Sequence, residues 1–330
     1  MAVTLKDIAK KARVSPMTVS KIIRGGNHRI SQETEERVLK IAKDMGYVPN
    51  GAARSLKTRK SKTIGFVLPD IANPFFPEIA RGLDDQAKNH GYSVLMCNTD
   101  NDADEEVKAF RKLAEKMVDG IVFIHSVAND NSMAHLNLNV PVVYVDRAIK
   151  DADQEDVGQI FLDVKSAFYD ATRLLIEKGC QNIAFISALY KGRDYRCEGY
   201  SKALEENKLS INDLNIYRGK YDVDTGSEGV SHILKNNPHI DGIVCGDDLI
   251  AYGVIEALLS RNLRIPEDVK VIGFDDIYFS QYSNPKLTTI AQPAYQMGVE
   301  AGKMLINHIE NGSQLYRKKM DYSLKIRKTV

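Results

Sequence analysis

The sequence predicts a small all-α module followed by a larger α/β core built on doubly wound parallel sheets. Three observations lead there: two short amphipathic helices abut near the start, short apolar runs alternate with helical stretches after Thr63, and charge divides sharply between the two regions. The first helix is TLKDIAKKA, with Thr4 as a candidate N-cap, Asp7 in the first turn, and Leu5, Ile8, Ala9 and Ala12 at helical spacing. Arg13 and Val14 turn the chain with almost no loop. Ser15 can cap a second helix, Pro16 fits its first position, where no backbone donor is needed, and Val19, Ile22 and Ile23 make its apolar face. A third helix runs from Ser31 to about Met45, with Glu33, Glu35 and Glu36 near its positive end and Val38, Leu39, Ile41 and Ala42 facing inward. This is a helix-turn-helix layout.

Residues 49–61 read as a linker. GAARSLKTRKSK is basic and carries one large apolar residue, Leu56, too little to bury a helix face. It could form about two turns of helix, a length marginal in water, and Gly51 weakens it further. A segment poised in this way suits folding coupled to binding.

Composition bounds the function classes. The chain has 330 residues, 43% of them hydrophobic, which is ample for more than one domain. No apolar run approaches membrane-spanning length and MAVTLKDIAKK has no signal-like apolar region, so a cytoplasmic location without a membrane partner is expected. Cys97, Cys180, Cys197 and Cys245 lie far apart, with no CxxC pair, and read as idle or buried thiols; neither a metal nor a cofactor is expected. No P-loop, GxSxG or HExxH occurs, so an enzyme is not expected. The net charge of +1 hides a division: residues 1–62 hold 15 basic and 5 acidic side chains, a net of +10, and the remainder nets −9. A basic helix-turn-helix unit points to nucleic acid, because Lys and Arg gain by displacing counterions from phosphate. A merely solvated charged face is the alternative.

From Thr63 onward TIGFVLP, YSVLMCN, DGIVFIH, PVVYVD, NIAFIS, DGIVCG and VKVIGFD read as buried strands, separated by amphipathic helices such as PFFPEIARGLDDQAKNHG. Such sheets bind ligands outside the carboxyl ends of their strands. The residues there are DIANPFF (Asp70 to Phe76), Asp146-Arg147, a loop leading to Arg196, Asp247-Asp248, Asp275-Asp276, and Gln292 after LTTIA. Carboxylates, guanidiniums and an amide suit a polyhydroxyl ligand, and Phe75, Phe76 or Tyr221 can cover the apolar face of its ring. For Asp248 and Asp276 a helix-capping role is the plainer expectation.

TLKDIAKKARVSPMTVSKIIRG, GYVPNGAARSL, IGFVLPDIANPFF, YRCEGY, GDDLIAYG, IPEDVKVIGFDD and LTTIAQP resemble, in order and over essentially the whole chain, the LacI/GalR family of bacterial transcription regulators. The resemblance implies a helix-turn-helix DNA-binding headpiece (1–48), a hinge helix (49–61) and a periplasmic-binding-protein-like effector and dimerisation core (62–330). The core divides into two doubly wound subdomains, about 62–162 with 292–322 and about 163–291 with 323–330. It implies a homodimeric repressor on a pseudo-palindromic, double-stranded operator, whose affinity a small molecule controls. Thr4, Ser15, Pro16, Met17, Thr18, Ser20, Lys21, Asn50, Ala53, Arg54 and Leu56 take the DNA-binding positions. Pro16, Met17 and Lys21 face base edges, Thr18 and Ser20 suit phosphates, and Leu56 wedges into the minor groove with Ala53 beside it.

Arg13 stands where a turn glycine is frequent and Arg24 where asparagine is common, so operator preference cannot be copied from a relative. For the effector, Asn73, Phe75, Phe76, Asp146, Arg147, Arg196, Tyr221, Asp275 and Gln292 resemble a ribose pocket, and Asp247 departs from it where asparagine is usual. Three acids against two bases favour a neutral sugar, ribose or a related pentose, over a phosphosugar. Lys191 and Arg193 reverse that balance if they point inward. The alternative effector is a purine or nucleoside corepressor or a protein partner. No leucine heptads extend the C-terminal region, which favours a dimer.

Overall fold

The computed structural model describes residues 3–23, 25, 30–48, 60–126, 140–147, 158–189 and 193–330. It divides into two units, Met1–Ser61 and Lys62–Val330. In the first, α1 (Leu5–Ala12), α2 (Pro16–Ile23) and α3 (Gln32–Asp44) close around Ile8, Ala9, Ala12, Val19, Ile22, Val38 and Ala42. A capping box opens α1: the Thr4 N–H donates to Asp7 Oδ2 at 2.9 Å and the Asp7 N–H to Thr4 Oγ1 at 3.4 Å. Arg13 ends the helix at φ +54°, the left-handed conformation that costs a side chain roughly 1 kcal/mol and that glycine adopts freely. The tight turn is thus made without its usual residue. Ser15 Oγ accepts from the Thr18 N–H at 3.1 Å and starts α2. Leu39, expected to face inward, is 46% exposed, because burial of Val38 and Ala42 turns the next position about 100° away.

The second unit holds two six-stranded sheets. The first has the order β11-β5-β4-β3-β1-β2, with β1 (Thr63–Leu68), β2 (Ser93–Asn98), β3 (Gly120–Phe123), β4 (Val142–Asp146), β5 (Gly158–Leu162) and β11 (Arg317–Met320), all parallel. In the second the order is β12-β10-β9-β8-β6-β7, with β6 (Ile183–Ala188), β7 (Ile216–Gly219), β8 (Gly242–Cys245), β9 (Lys270–Asp275), β10 (Thr288–Ala291) and β12 (Ser323–Lys325). Only β12 runs antiparallel among these described strands. Helices α4 (Phe75–Asn89), α5 (Ala103–Glu115) and α10 (Ala294–Asn311) accompany the first sheet; α6 (Val164–Glu177), α7 (Tyr195–Glu206), α8 (Val223–Asn236) and α9 (Asp248–Leu259) accompany the second. Four strands, β5, β7, β11 and β12, were not expected; β11 reads RKKM, which carries no apolar run. One expectation fails differently: β2 was read as buried, yet as an edge strand paired only with β1 it leaves Leu95 and Met96 exposed.

Helix packing in the first half depends on two glycines. A Cβ at Gly82 would lie 2.0 Å from the Tyr295 carbonyl oxygen, and one at Gly298 would lie 2.0 Å from that of Ile79, so α4 and α10 touch backbone to backbone. The chain passes between the halves three times, after β5, β10 and β11. The last passage ends in a lock: Thr329 Oγ1 accepts from the Thr288 N–H at 2.8 Å and donates to the Val271 carbonyl at 2.7 Å.

Candidate functional site

On the headpiece, Ser15, Pro16, Met17 and Lys21 form the solvent side of α2, while Thr18 and Ser20 are half-buried. Met17 is 69% exposed, and Lys21 lies one turn along the same face. Met17 therefore stands on the face of α2 opposite the buried Val19 and Ile22. Thr4 is occupied in the capping box. Asn50, Ala53, Arg54 and Leu56 lie outside the described residues.

In the core, strand ends from both sheets meet at one narrow cleft with about 20 Å³ open in it, lined by Asn73, Phe75, Phe76, Asp146, Arg147, Arg196, Tyr221, Asp247, Asp275 and Gln292. All ten residues expected around the effector are brought together there. From the first half, Asn73 Oδ1 accepts from the Phe75 N–H at 3.1 Å and opens α4, where Phe75 and Phe76 pack edge to face at 5.3 Å. Asp146 ends β4 at φ +71°, and Asp275 ends β9 at φ +114°; strained backbone of this kind gathers at binding sites. Arg147 reaches back to the His125 carbonyl, and its Nε lies 3.9 Å from Asp146 Oδ2.

The second half supplies Arg196, set against the rings of Phe274, Tyr221 and Phe168 at 5.2, 5.5 and 5.7 Å. Cation–π contact holds the guanidinium in the apolar surround. Gln292 Nε2 donates to Asp275 Oδ1 at 2.6 Å. Across the cleft Asn73 Nδ2 donates to Asp247 Oδ2 at 3.3 Å, one bond between the two halves. The other Asp247 oxygen accepts from the Ile250 N–H at 2.8 Å and caps α9.

Burial sets the charges. It pushes the Asp247 carboxyl up to about 7 against the pull of the Ile250 N–H, and it lifts Asp146 above the carboxylate range against Arg147 and Arg196. Asp275 goes well above that range through burial and the neighbouring Asp247 and Asp248. Burial would weaken the Arg196 proton, but Tyr221, Asp146 and Asp275 together hold it more firmly than usual. Among the described residues, buried polar atoms without a hydrogen bond include Arg147 Nε, Arg196 Nε and Gln292 Oε1. Two donors and one acceptor in the lining thus carry no hydrogen bond.

Several expectations change here. Asp248 does not cap α9; its neighbour Asp247 does. Asp248 instead accepts from Thr289 Oγ1 at 2.6 Å, Ser280 Oγ at 2.6 Å and the Ile277 N–H at 2.9 Å, and burial pushes its carboxyl up to about 7. Asp276 is no cap either: it pairs with Arg327 at 2.6 Å. Arg193 turns away from the cavity to Glu198, at 2.5 Å; Lys191 lies outside the described residues. Sequence reasoning missed Phe168 and Phe274, the other rings against Arg196, because an aromatic in a core helix or strand carries no mark of its neighbour. Among the described residues no cluster of His, Cys, Asp and Glu could hold a metal, and no helix is long and apolar enough to cross a membrane.

Known proteins match both parts. Residues 4–50 match the bacterial regulatory proteins of the lacI family, and residues 61–326 match the periplasmic binding proteins and sugar binding domain of the LacI family. The transcriptional regulator RegA of Clostridium saccharobutylicum is 39% identical over 93% of this chain and 92% of its own. The ribose operon repressor of Halalkalibacterium halodurans is 35% identical over 99% and 97%. Among solved structures, a lac repressor dimer bound to operator and the anti-inducer ONPF superposes with a TM-score of 0.87 at 25% identity, over 100% of this chain and 99% of that one. An exposed helix-turn-helix face, a polar cleft at the strand ends of two sheets, and family matches over both regions lead to one conclusion: the chain belongs to the LacI family of DNA-binding, ligand-regulated transcription regulators.

Proposed function

We propose that the protein is a homodimeric repressor that a small sugar, ribose or a related pentose, releases from a near-palindromic operator. The observation that carries this reading is the lining of the cleft: ten residues from both halves, with acceptors, donors and two phenyl rings turned to one site. Asp146, Asp247 and Asp275 accept from hydroxyls, Arg147 and Arg196 donate to ring and hydroxyl oxygens, and Phe75 and Phe76 cover the apolar face. A ligand touching both walls favours one closure angle, and it shifts the repressor only by its differential affinity for that state. Closure alters the spacing of the two 49–61 segments in the dimer, and Leu56 leaves the minor groove. On the DNA side, Pro16, Met17 and Lys21 read bases and Thr18 and Ser20 hold phosphates.

The test is operator affinity by fluorescence anisotropy with and without saturating ribose. Wild type should release operator at least about tenfold, the scale of an ordinary allosteric coupling, and Arg196→Ala should bring the ratio of the two affinities close to one. Tighter operator binding with sugar would reverse the sign. A variant that no longer binds sugar in calorimetry yet is still released by it would overturn the pocket assignment.

A further inference from the structure

The turn after β9 sends a residue of the second half into the core of the first. Ile277 is buried in the apolar cluster that holds Phe66, Phe75, Phe76 and Ile79, and among the described residues it is the one buried member of that cluster from the stretch 163–291. Leu249 and Tyr252, near the start of α9, pack against the same cluster. The neighbouring Asp247 accepts from Asn73 Nδ2 across the cleft at 3.3 Å, and the 20 Å³ open there is room for about one water molecule. A sugar ring enters only when the halves part.

Asp248 fixes where Ile277 stands. It is fully buried; its Oδ2 accepts from the Ile277 N–H at 2.9 Å and from Ser280 Oγ at 2.6 Å, and its Oδ1 accepts from Thr289 Oγ1 at 2.6 Å. One carboxylate thus ties the start of α9, the turn after β9 and β10 into a single block. A carboxylate suits the place because it only accepts, whereas an asparagine would turn an N–H₂ toward one side of this donor set. Room for it comes from Gly273, where a Cβ would lie 2.2 Å from Asp248 Oδ1. We propose that Ile277 is the pin that holds the cleft closed and that Asp248 is its positioning residue: ligand enters by unseating Ile277 from the core of the first half, and the strength of that contact sets how easily the cleft opens. For its part in regulation this rests on the reading of the cleft as the effector site.

Hydrogen exchange on the full chain, read by mass spectrometry without any sugar, tests it. The Phe75 and Phe76 N–H groups donate to Asn73, at 3.1 and 3.2 Å, and the Ile250 N–H donates to Asp247 at 2.8 Å, so their exchange follows parting of the halves from both sides. In Ile277→Ala they should exchange about tenfold or more faster while β1 and β8 keep their wild-type rates. Asp248→Asn should speed Phe75 and Phe76 as well, although it lies in the other half. Equal acceleration in β1 and β8 would mean a general loss of core stability and would remove the pin, as would wild-type rates at Phe75 and Phe76 in Ile277→Ala. If Ile277→Ala speeds those two amides and Asp248→Asn does not, Asp248 has no positioning role. Should Ile277→Ala not fold, Ile277→Val should give the same pattern at roughly threefold. Because no sugar is used, failure of the pin leaves the effector-site reading standing.

Discussion

Lowering the pH from about 8 to about 5 should stabilise the core, because its buried aspartates bind protons that the unfolded chain has released. Asp247 and Asp248 each rise from an ordinary 3.8 to about 7 on burial. Between those values the folded carboxyl is protonated and the unfolded one ionised, so the native state holds more protons and stability falls as pH rises. About three pKa units at 1.36 kcal/mol each make roughly 4 kcal/mol for one group, of which about 3 falls between pH 5 and 8. Carboxylates of the opposite kind do not interfere. Glu198, held near about 2 by Arg193 and Lys165, and Asp268, held near about 2 by Arg264, give up their contribution only below their unfolded values of 4.5 and 3.8. Urea unfolding followed by circular dichroism at constant ionic strength reads the effect, since the midpoint tracks stability. Asp247→Asn keeps the cap and should reduce the pH dependence without abolishing it, because Asp146, Asp248 and Asp275 are raised as well. A midpoint that stays level, or rises, from about pH 5 to about pH 7 would refute the burial argument.

Two further outcomes follow from other parts of the chain. Leu56→Ala should cost roughly 1–3 kcal/mol of operator affinity, the scale of one specific contact, and leave binding to random DNA nearly unchanged; equal losses on both DNAs would remove the wedge assignment. Gly82→Ala should lower the thermal midpoint of the core by the equivalent of roughly 1–3 kcal/mol, since its methyl would meet the Tyr295 carbonyl and force α4 from α10; an unchanged midpoint would show that the two helices part freely.

The strands that the sequence made plain were those whose neighbours bury them on both faces: TIGFVL, GIVF, IAFISA and GIVC are apolar because they lie inside parallel sheets. Edge strands were harder to read. RKKM and SLK pair on one side and meet water on the other, so their composition matches that of a loop. The cavity was legible residue by residue, because strand ends point to it and polar side chains there are unusual. The partners of each carboxylate were not. Asp247 and Asp248 are adjacent and identical in kind, yet one caps α9 and faces the cleft while the other ties down Ile277, Ser280 and Thr289; only the direction of the chain leaving β8 separates them.

The strands after α10 carry a consequence for how the molecule is made. Residues 317–320 complete the first sheet and 323–325 the second, and Thr329 then bonds to β9 and to the residue that starts β10. Both halves therefore wait for the same late stretch. On the ribosome, helices and central strands can gather as they emerge, but β5 and β10 keep an open edge until some 250 residues after Thr63 have been synthesised. Order of synthesis and order of closure run against each other, and a translational pause before Arg317 would hold two unpaired edges in one nascent chain. Both sheets thus owe an outer strand to one stretch of nine residues, 317–325.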